Sequence, residues 1–320
     1  MFSWRHRSSE ERLTMHTLAM LLKSYAPDLA YAERMIASFN QYNRDQIPLC
    51  VIVPDDELAL FSRFASPLIE ILGESVLGHH MVSDEVHGLR PGYINQEIVK
   101  LSFWELGFAE NYFCVDSEAM FIRDFYIADF MATPEVPYTV LVEDNELKVE
   151  PNYFHQYWVQ REESLREIQR IIGLDDPIIR TCHGHQIFSA TVLRSFVDEF
   201  LNPRSWTYRD ALAASPYEFS WYNMWLQKTQ VIPIHQREPL VKVFHNEDQH
   251  LEYILRGVNL ADIARGYLAV VVNSSYAREL ENVSVKDGKA ESLAPYLSYG
   301  EVSELIAAKF KDTFNRRFRK

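Results

Sequence analysis

The sequence predicts an α/β protein: a mainly parallel sheet flanked by helices. Three observations carry the prediction. Short, continuous apolar runs closed by turn residues recur between residues 17 and 115, as expected of parallel strands buried on both faces. Segments with apolar residues at helical spacing alternate with them, the pattern of β-α-β units. One run, Tyr112 to Val115, stops abruptly at Asp116-Ser117-Glu118, and in open α/β sheets ligands bind outside the carboxyl ends of the strands.

The elements follow in order. "TLAMLLKSY" (17–25) reads as a strand that ends in a turn at Ala26-Pro27-Asp28. Leu29, Met35, Ile36 and Phe39 then mark a helix, with Asp28 as its expected N-cap. "PLCVIVP" (48–54) is a buried strand, and "DDELALFSRF" a helix with acids in its first turn, where the macrodipole favours them. "PLIEIL" (67–72) is a third strand, residues 73 to 92 a glycine-bearing loop, and "YINQEIVKLSFWEL" (93–106) a helix leading to Tyr112–Val115. In the second half, strands are expected at 136–143, 240–245 and 267–272, a long amphipathic helix at 152–174, a strand running into a helix at 183–201, and a helix from about Tyr217. No Gly/Ser linker separates the halves, so one continuous domain is expected.

Composition narrows the function. Of 320 residues 47% are hydrophobic, and 45 acids outweigh 32 basic residues for a formal charge of −13. That balance opposes sequence-independent nucleic-acid binding, which needs a basic surface. Cys50, Cys114 and Cys182 lie far apart and form neither a metal-binding nor a disulfide pattern, consistent with a reducing cytoplasm. No run approaches the ~20 apolar residues that span a bilayer. At the end, Arg316, Arg317, Arg319 and Lys320 surround Phe318. They read either as a solvated helix end or as a foot on anionic lipid at the inner face of the membrane, at ~1 kcal/mol per basic residue. Aromatics reach 13%, with 17 Tyr and 6 Trp, a composition suited to sugars and planar ligands as well as to a core.

Asp116-Ser117-Glu118 is the sharpest feature. Two acids at the end of a buried strand repel one another unless a cation lies between them. A hard divalent ion, Mn²⁺ or Mg²⁺, needs oxygen ligands of this kind, with room for water and phosphate oxygens. A surface turn is the alternative.

The order "LLKSYAPDL", "CVIVP", "INQEIVKL", "YFCVDSEAMFI" resembles the donor half of a GT-A nucleotide-sugar glycosyltransferase, and in particular a bacterial group of glycosyltransferase-like proteins with unassigned substrates. The resemblance spans roughly residues 17 to 275 and is strongest between 93 and 122. It implies a GT-A-like, Rossmann-like fold, with a donor half over about 17–130, an acceptor half over about 131–275 and a helical, basic tail over about 276–320. It further implies transfer of a sugar from a nucleotide-diphosphate donor to a glycan or lipid-linked acceptor.

Under the resemblance Asp116 and Glu118 take the place of the DxD motif that holds the metal and, through it, the diphosphate. Here glutamate stands in the last position. Lys23, Ser24 and Tyr25 fall where such enzymes bind base and ribose. Gln96 and Lys100, four apart and therefore on one helical face, fall near the diphosphate, with Lys100 as a point charge. Glu218 falls where an inverting transferase needs a base for the acceptor hydroxyl; a retaining one needs none. Tyr217, Trp221, Tyr222 and Trp225 beside it suit either sugar stacking or the core. His245 falls where some such enzymes supply a third metal ligand, a capping or core histidine being the alternative, and the "HGH" at 183–185 reads as a close backbone approach to substrate in preference to a zinc pair. A metal-dependent phosphohydrolase or pyrophosphatase, or a non-catalytic nucleotide- or glycan-binding scaffold, are the rival readings.

Overall fold

Strand β1 (His16–Lys23) lies at the middle of a five-stranded sheet. Its eight residues alternate between the two faces. Ala19 and Leu21 belong to one buried cluster, whereas Leu18, Met20 and Leu22 belong to the other. The computed structural model describes residues 15–141, 161–177, 185–244, 253 and 257–272.

From β1 the chain enters α1 (Leu29–Tyr42), then β2 (Leu49–Val53), the short α2 (Leu58–Phe61), β3 (Ile69–Gly73), α3 (Pro91–Ser102) and β4 (Ala109–Val115). After the three-residue β5 (Ala119–Phe121) and two-residue β6 (Thr139–Val140) come α4 (Glu162–Ile172), β7 (Ile187–Ser189), α5 (Ala190–Ser195), α6 (Tyr208–Ala214), α7 (Glu218–Thr229), β8 (Gln236–Arg237), β9 (Val241–Phe244), α8 (Leu260–Ile263) and β10 (Ala269–Val272).

The central sheet runs β3-β2-β1-β4-β7. The first four strands are parallel and β7 is antiparallel to β4. The predicted class, a mainly parallel sheet flanked by helices, is the observed one. Every residue of β2 is buried, which is why its sequence shows no polar alternation. On one face α1 buries Ala32, Met35, Ile36 and Phe39; each of the larger side chains contributes roughly 1.5–3 kcal/mol by leaving water. α3, α4, α5 and α7 cover the other face. Among the aromatics of α7, Trp221, Tyr222 and Trp225 are core residues, at 5% exposure or less, and do not form a sugar platform.

Three expectations change in detail. The helix predicted over 93–106 begins at Pro91 and continues past Ser102 as a 3₁₀ turn to Leu106, since proline suits a first helical position. Gly107 ends it with φ 64°, a left-handed conformation that glycine adopts without strain. Among the described residues, the strand predicted over 136–143 is Thr139–Val140, paired with β8. Finally, β9 and β10 do not extend the central sheet but form a second one with β5. The 152–160 part of the long helix, the "HG" of 183–184, Cys182, His245 and the basic C-terminal cluster lie outside the described residues.

Candidate functional site

The loops after β1, β2, β3 and β4 meet the first turn of α3 around a cleft of about 480 Å³. From β1 come Lys23, Ser24 and Tyr25, from β2 Pro54, from β3 Glu74, and from β4 Asp116, Ser117 and Glu118. Arg90, Gly92, Tyr93, Asn95 and Gln96 contribute the helix side, and Asp28 closes the rim. Four parallel strands therefore point their carboxyl ends at one space, as in other open α/β sheets.

The acid pair is presented by a tight turn. The Ala119 amide donates to the Asp116 carbonyl at 3.0 Å. The middle residue, Ser117, points inward, 3% exposed, and its hydroxyl donates to Ser24 Oγ at 3.0 Å. This bond ties the turn to the end of β1 and leaves Asp116 and Glu118 lining the cleft. Beside Asp116 stands His185, with Nε2 3.5 Å from Oδ2. β7 runs antiparallel to β4, and Cys114 N donates to Gln186 O at 3.0 Å, so the residue that opens β7 falls at the closing end of β4. Sequence reasoning brought the HGH of 183–185 towards the substrate but did not pair His185, two residues before β7, with Asp116. Only the strand direction could have supplied that pairing.

Lys23 points along the cleft wall and pairs with Glu74 at 2.9 Å. Tyr25 and Tyr93, 44% and 39% exposed, line the cleft. Gly73 lets the β3 end close in: a Cβ there would meet Asp55 Oδ1 at 2.2 Å. Asp55 in turn accepts from the Ser75 amide at 2.9 Å and so fixes the turn that carries Glu74. Asn95 pins the following loop, accepting from Val82 N at 2.8 Å and donating to Val82 O at 3.0 Å.

Lys100 and Glu218 are not among the residues that line the cleft. Gln96 reaches it, but one turn further along α3 Lys100 is 6% exposed and lies inside the fold. Its Nζ is 2.9 Å from Glu218 Oε1 and 3.1 Å from Glu97 Oε2, and 4.8 Å from the centre of the Phe219 ring. Glu97 and Glu218 are each 4% exposed. Burial, followed by the neighbouring Glu218 carboxylate, pushes the Glu97 carboxyl well above the usual range against the pull of Lys100. Two carboxyl groups and one lysine thus share a buried cluster in which burial favours the neutral form of Glu97. For Lys100, burial acts to lower the pKa, but the carboxylates of Glu218, Glu97 and Asp116 outweigh it and the result is a rise. A lysine charge thus sits beneath the cleft acid without entering the cleft.

Electrostatically the lining carries four carboxylates, Asp28, Glu74, Asp116 and Glu118, against two cations, Lys23 and Arg90. Asp116 and Glu118 offer hard oxygen donors and His185 an imidazole nearby, a set that suits Mn²⁺ or Mg²⁺ with coordination positions left for a ligand's oxygens. Among the described residues, the one group of three side chains already close enough to share an ion is His79, His80 and Glu105, none of which lines the cleft.

Fold and cleft together define an α/β protein of the doubly wound kind, with an acid-lined ligand cleft at the carboxyl ends of its parallel strands. The chain belongs to a family of unknown function (DUF6492), whose model matches residues 15–252. No curated protein matches it significantly. Among solved structures, mouse xyloside xylosyltransferase 1 in its apo form is similar over 81% of this chain and 99% of its own, at 10% identity and a TM-score of 0.45. Figures that low transfer none of that enzyme's activity. No described helix is long and apolar enough to cross a membrane.

Proposed function

We propose that this chain is a metal-dependent glycosyltransferase that binds a nucleotide-diphosphate sugar in the cleft and passes the sugar to a glycan or lipid-linked acceptor. The observation that carries the reading is the charge of the cleft: an excess of carboxylates at the sheet end where phosphates would sit. A diphosphate alone would be repelled there. With a divalent ion held by Asp116 and Glu118 the same carboxylates become the anchor for it.

The remaining lining divides the work. The amino terminus of α3, a 12-residue helix whose first turn faces the cleft, favours anionic oxygens through its dipole. Tyr25 offers a stacking face to the base, and Ser24 and Lys23 line the ribose side. Gln96 provides an amide to the diphosphate. His185 holds the Asp116 side. Lys100, buried and paired to Glu97 and Glu218, adds positive charge to the field around the cleft without lining it. Glu218 acts through Lys100, because its carboxylate is committed to that ion pair. A bound metal would stabilise the charge that develops on the departing diphosphate, a Lewis-acid effect worth several kcal/mol.

The test is a melting-temperature screen of UDP- and GDP-sugars with and without Mn²⁺, on the wild type and on Asp116→Asn/Glu118→Gln. A ligand at about 100 times its dissociation constant adds ~2.7 kcal/mol of stability. The expected result is Mn²⁺-dependent stabilisation that the double variant loses. Unchanged Mn²⁺-dependent affinity in the variant would remove the metal role from the acid pair. Turnover stimulated by an added acceptor separates transfer from hydrolysis of the donor.

A further inference from the structure

We propose that His79, His80 and Glu105 form a second metal site, on the surface and separate from the cleft, for a transition-metal ion of the Zn²⁺ class. One donor atom from each residue lies within 4.8 Å of the other two. Both imidazoles aim at the same carboxylate oxygen: Nε2 of His80 is 2.8 Å and Nε2 of His79 3.5 Å from Glu105 Oε2. Bonds of ~2.0–2.1 Å to nitrogen in a tetrahedral ion separate ligand atoms by about 3.4 Å. The trio reaches that spacing with small side-chain adjustments.

Two features distinguish the trio from an ordinary hydrogen bond. The other oxygen of Glu105 is held by the Tyr208 hydroxyl at 2.8 Å, and that hydroxyl accepts from Trp104 Nε1 at 3.1 Å. Outer-shell bonds of this kind orient a carboxylate for its metal. The two imidazole rings lie 3.8 Å apart, close enough for one divalent ion to take a nitrogen from each. The His79 side chain is 65% exposed and those of His80 and Glu105 are 19% and 24% exposed. This leaves an entry path and a coordination position for water. Binding would displace the proton between His80 and Glu105.

The site lies on the loop between β3 and α3, which carries Glu74 and Arg90 to the cleft. Glu105 belongs to the turn that follows α3, and Tyr208 to α6. An ion here clamps the loop to the helical layer and stiffens one wall of the cleft.

The experiment uses the full chain, stripped with chelator and titrated with Zn²⁺ by calorimetry, with Co²⁺ absorption as the coordination readout. Wild type, His79→Ala, His80→Ala and Glu105→Gln are compared with Asp116→Asn/Glu118→Gln. The expected result is one equivalent of Zn²⁺ bound with proton release. Affinity should fall at least tenfold in each of the three single variants and stay unchanged in the cleft variant. Zn²⁺ should also slow amide exchange over residues 78–90. No Zn²⁺ binding would overturn the proposal. So would binding that survives His79→Ala, whose exposed side chain the fold does not need, or binding lost only in the cleft variant.

Discussion

The protein places two pairs of acids within a short distance of α3 and treats them in opposite ways. Glu97 and Glu218 are sealed inside, 4% exposed each, and close on Lys100. Asp116 and Glu118 stand on a turn at the mouth of the sheet and line an open cleft. In the buried pair the fold supplies its own cation, Lys100, within 3.1 Å of Glu97 and 2.9 Å of Glu218. The cleft pair has a lysine beneath it and a histidine 3.5 Å to one side, and it opens on solvent where a ligand can add charge. The comparison teaches that carboxylate pairing alone does not mark a ligand site. What separates the two is that one pair is sealed around a lysine inside the fold and the other lines a cleft.

The strongest way to break the comparison is to remove the built-in cation. Lys100→Met leaves two buried glutamates around an uncharged side chain. Breaking a buried ion pair by deleting one partner costs about 3–5 kcal/mol, to be read by urea denaturation at pH 7. Adding Glu97→Leu and Glu218→Leu should recover most of that loss, because an apolar replacement of the whole group carries no unpaired charge. At the cleft the equivalent change, Asp116→Asn with Glu118→Gln, should alter stability by under ~1 kcal/mol, as is usual at exposed polar positions. Equal losses at both places would end the distinction drawn here.

Next in size is a pH effect confined to the buried pair. The folded state raises the Glu97 pKa above its unfolded value, so the folded protein holds a proton that the unfolded chain releases. That contribution is present in full below the ordinary carboxyl range, about pH 4–5, and is lost as pH rises towards the folded value. Glu97→Gln mimics the protonated acid: its amide donates to Glu218 and accepts from Lys100. The variant should match the wild type near pH 5 and melt higher than it at pH 8–9. Parallel melting curves across that range would show that Glu97 carries no proton.

Glu218→Gln sharpens the same contrast. If Glu218 serves as an acceptor-side base, transfer should fall roughly 10²–10⁴-fold with folding intact. The ion-pair geometry leads to a different expectation: Glu97 gives up its proton and takes over the pairing to Lys100, since coupled acids titrate as a unit. Stability should then fall modestly, by about 1–2 kcal/mol, as for a lost hydrogen bond to a charged group. The rate, measured with donor affinity in the same preparation, should change by less than tenfold.

Much of this was legible in the sequence, for physical reasons. β1, β2 and β4 read correctly because burial on both faces leaves uninterrupted apolar runs. The acid pair stood out because charges at the end of such a run need a cause, and both acids line the cleft. Lys100 did not. Helical spacing puts it near the face of Gln96, but its depth is decided by Glu218, which lies 118 residues later. His185 is singled out with the HGH of 183–185, but its place beside Asp116 follows from the antiparallel direction of β7, which an apolar run does not reveal. His79 and His80 were passed over inside a segment read as loop, where adjacency says nothing about Glu105 arriving from beyond α3.

The smallest expected effect concerns the residue between the two cleft acids. Ser117 shares the turn with Asp116 and Glu118 yet is buried, and its hydroxyl donates to Ser24 across the gap between β4 and β1. Ser117→Ala keeps the backbone and nearly the same volume, so packing is preserved and the hydrogen bond alone is removed. A bond of this kind contributes about 0.5–1.5 kcal/mol net, a loss measurable by urea denaturation. Because the bond holds the acid turn against the end of β1, the variant should also weaken Mn²⁺-dependent nucleotide binding by a few fold, far less than the acid double variant does. The ratio is the informative quantity. Asp116→Asn/Glu118→Gln should abolish binding with stability nearly kept, whereas Ser117→Ala should lose stability with binding nearly kept. If Ser117→Ala instead lost binding completely at unchanged stability, the serine would be a ligand contact and the inward orientation assigned to it would be wrong.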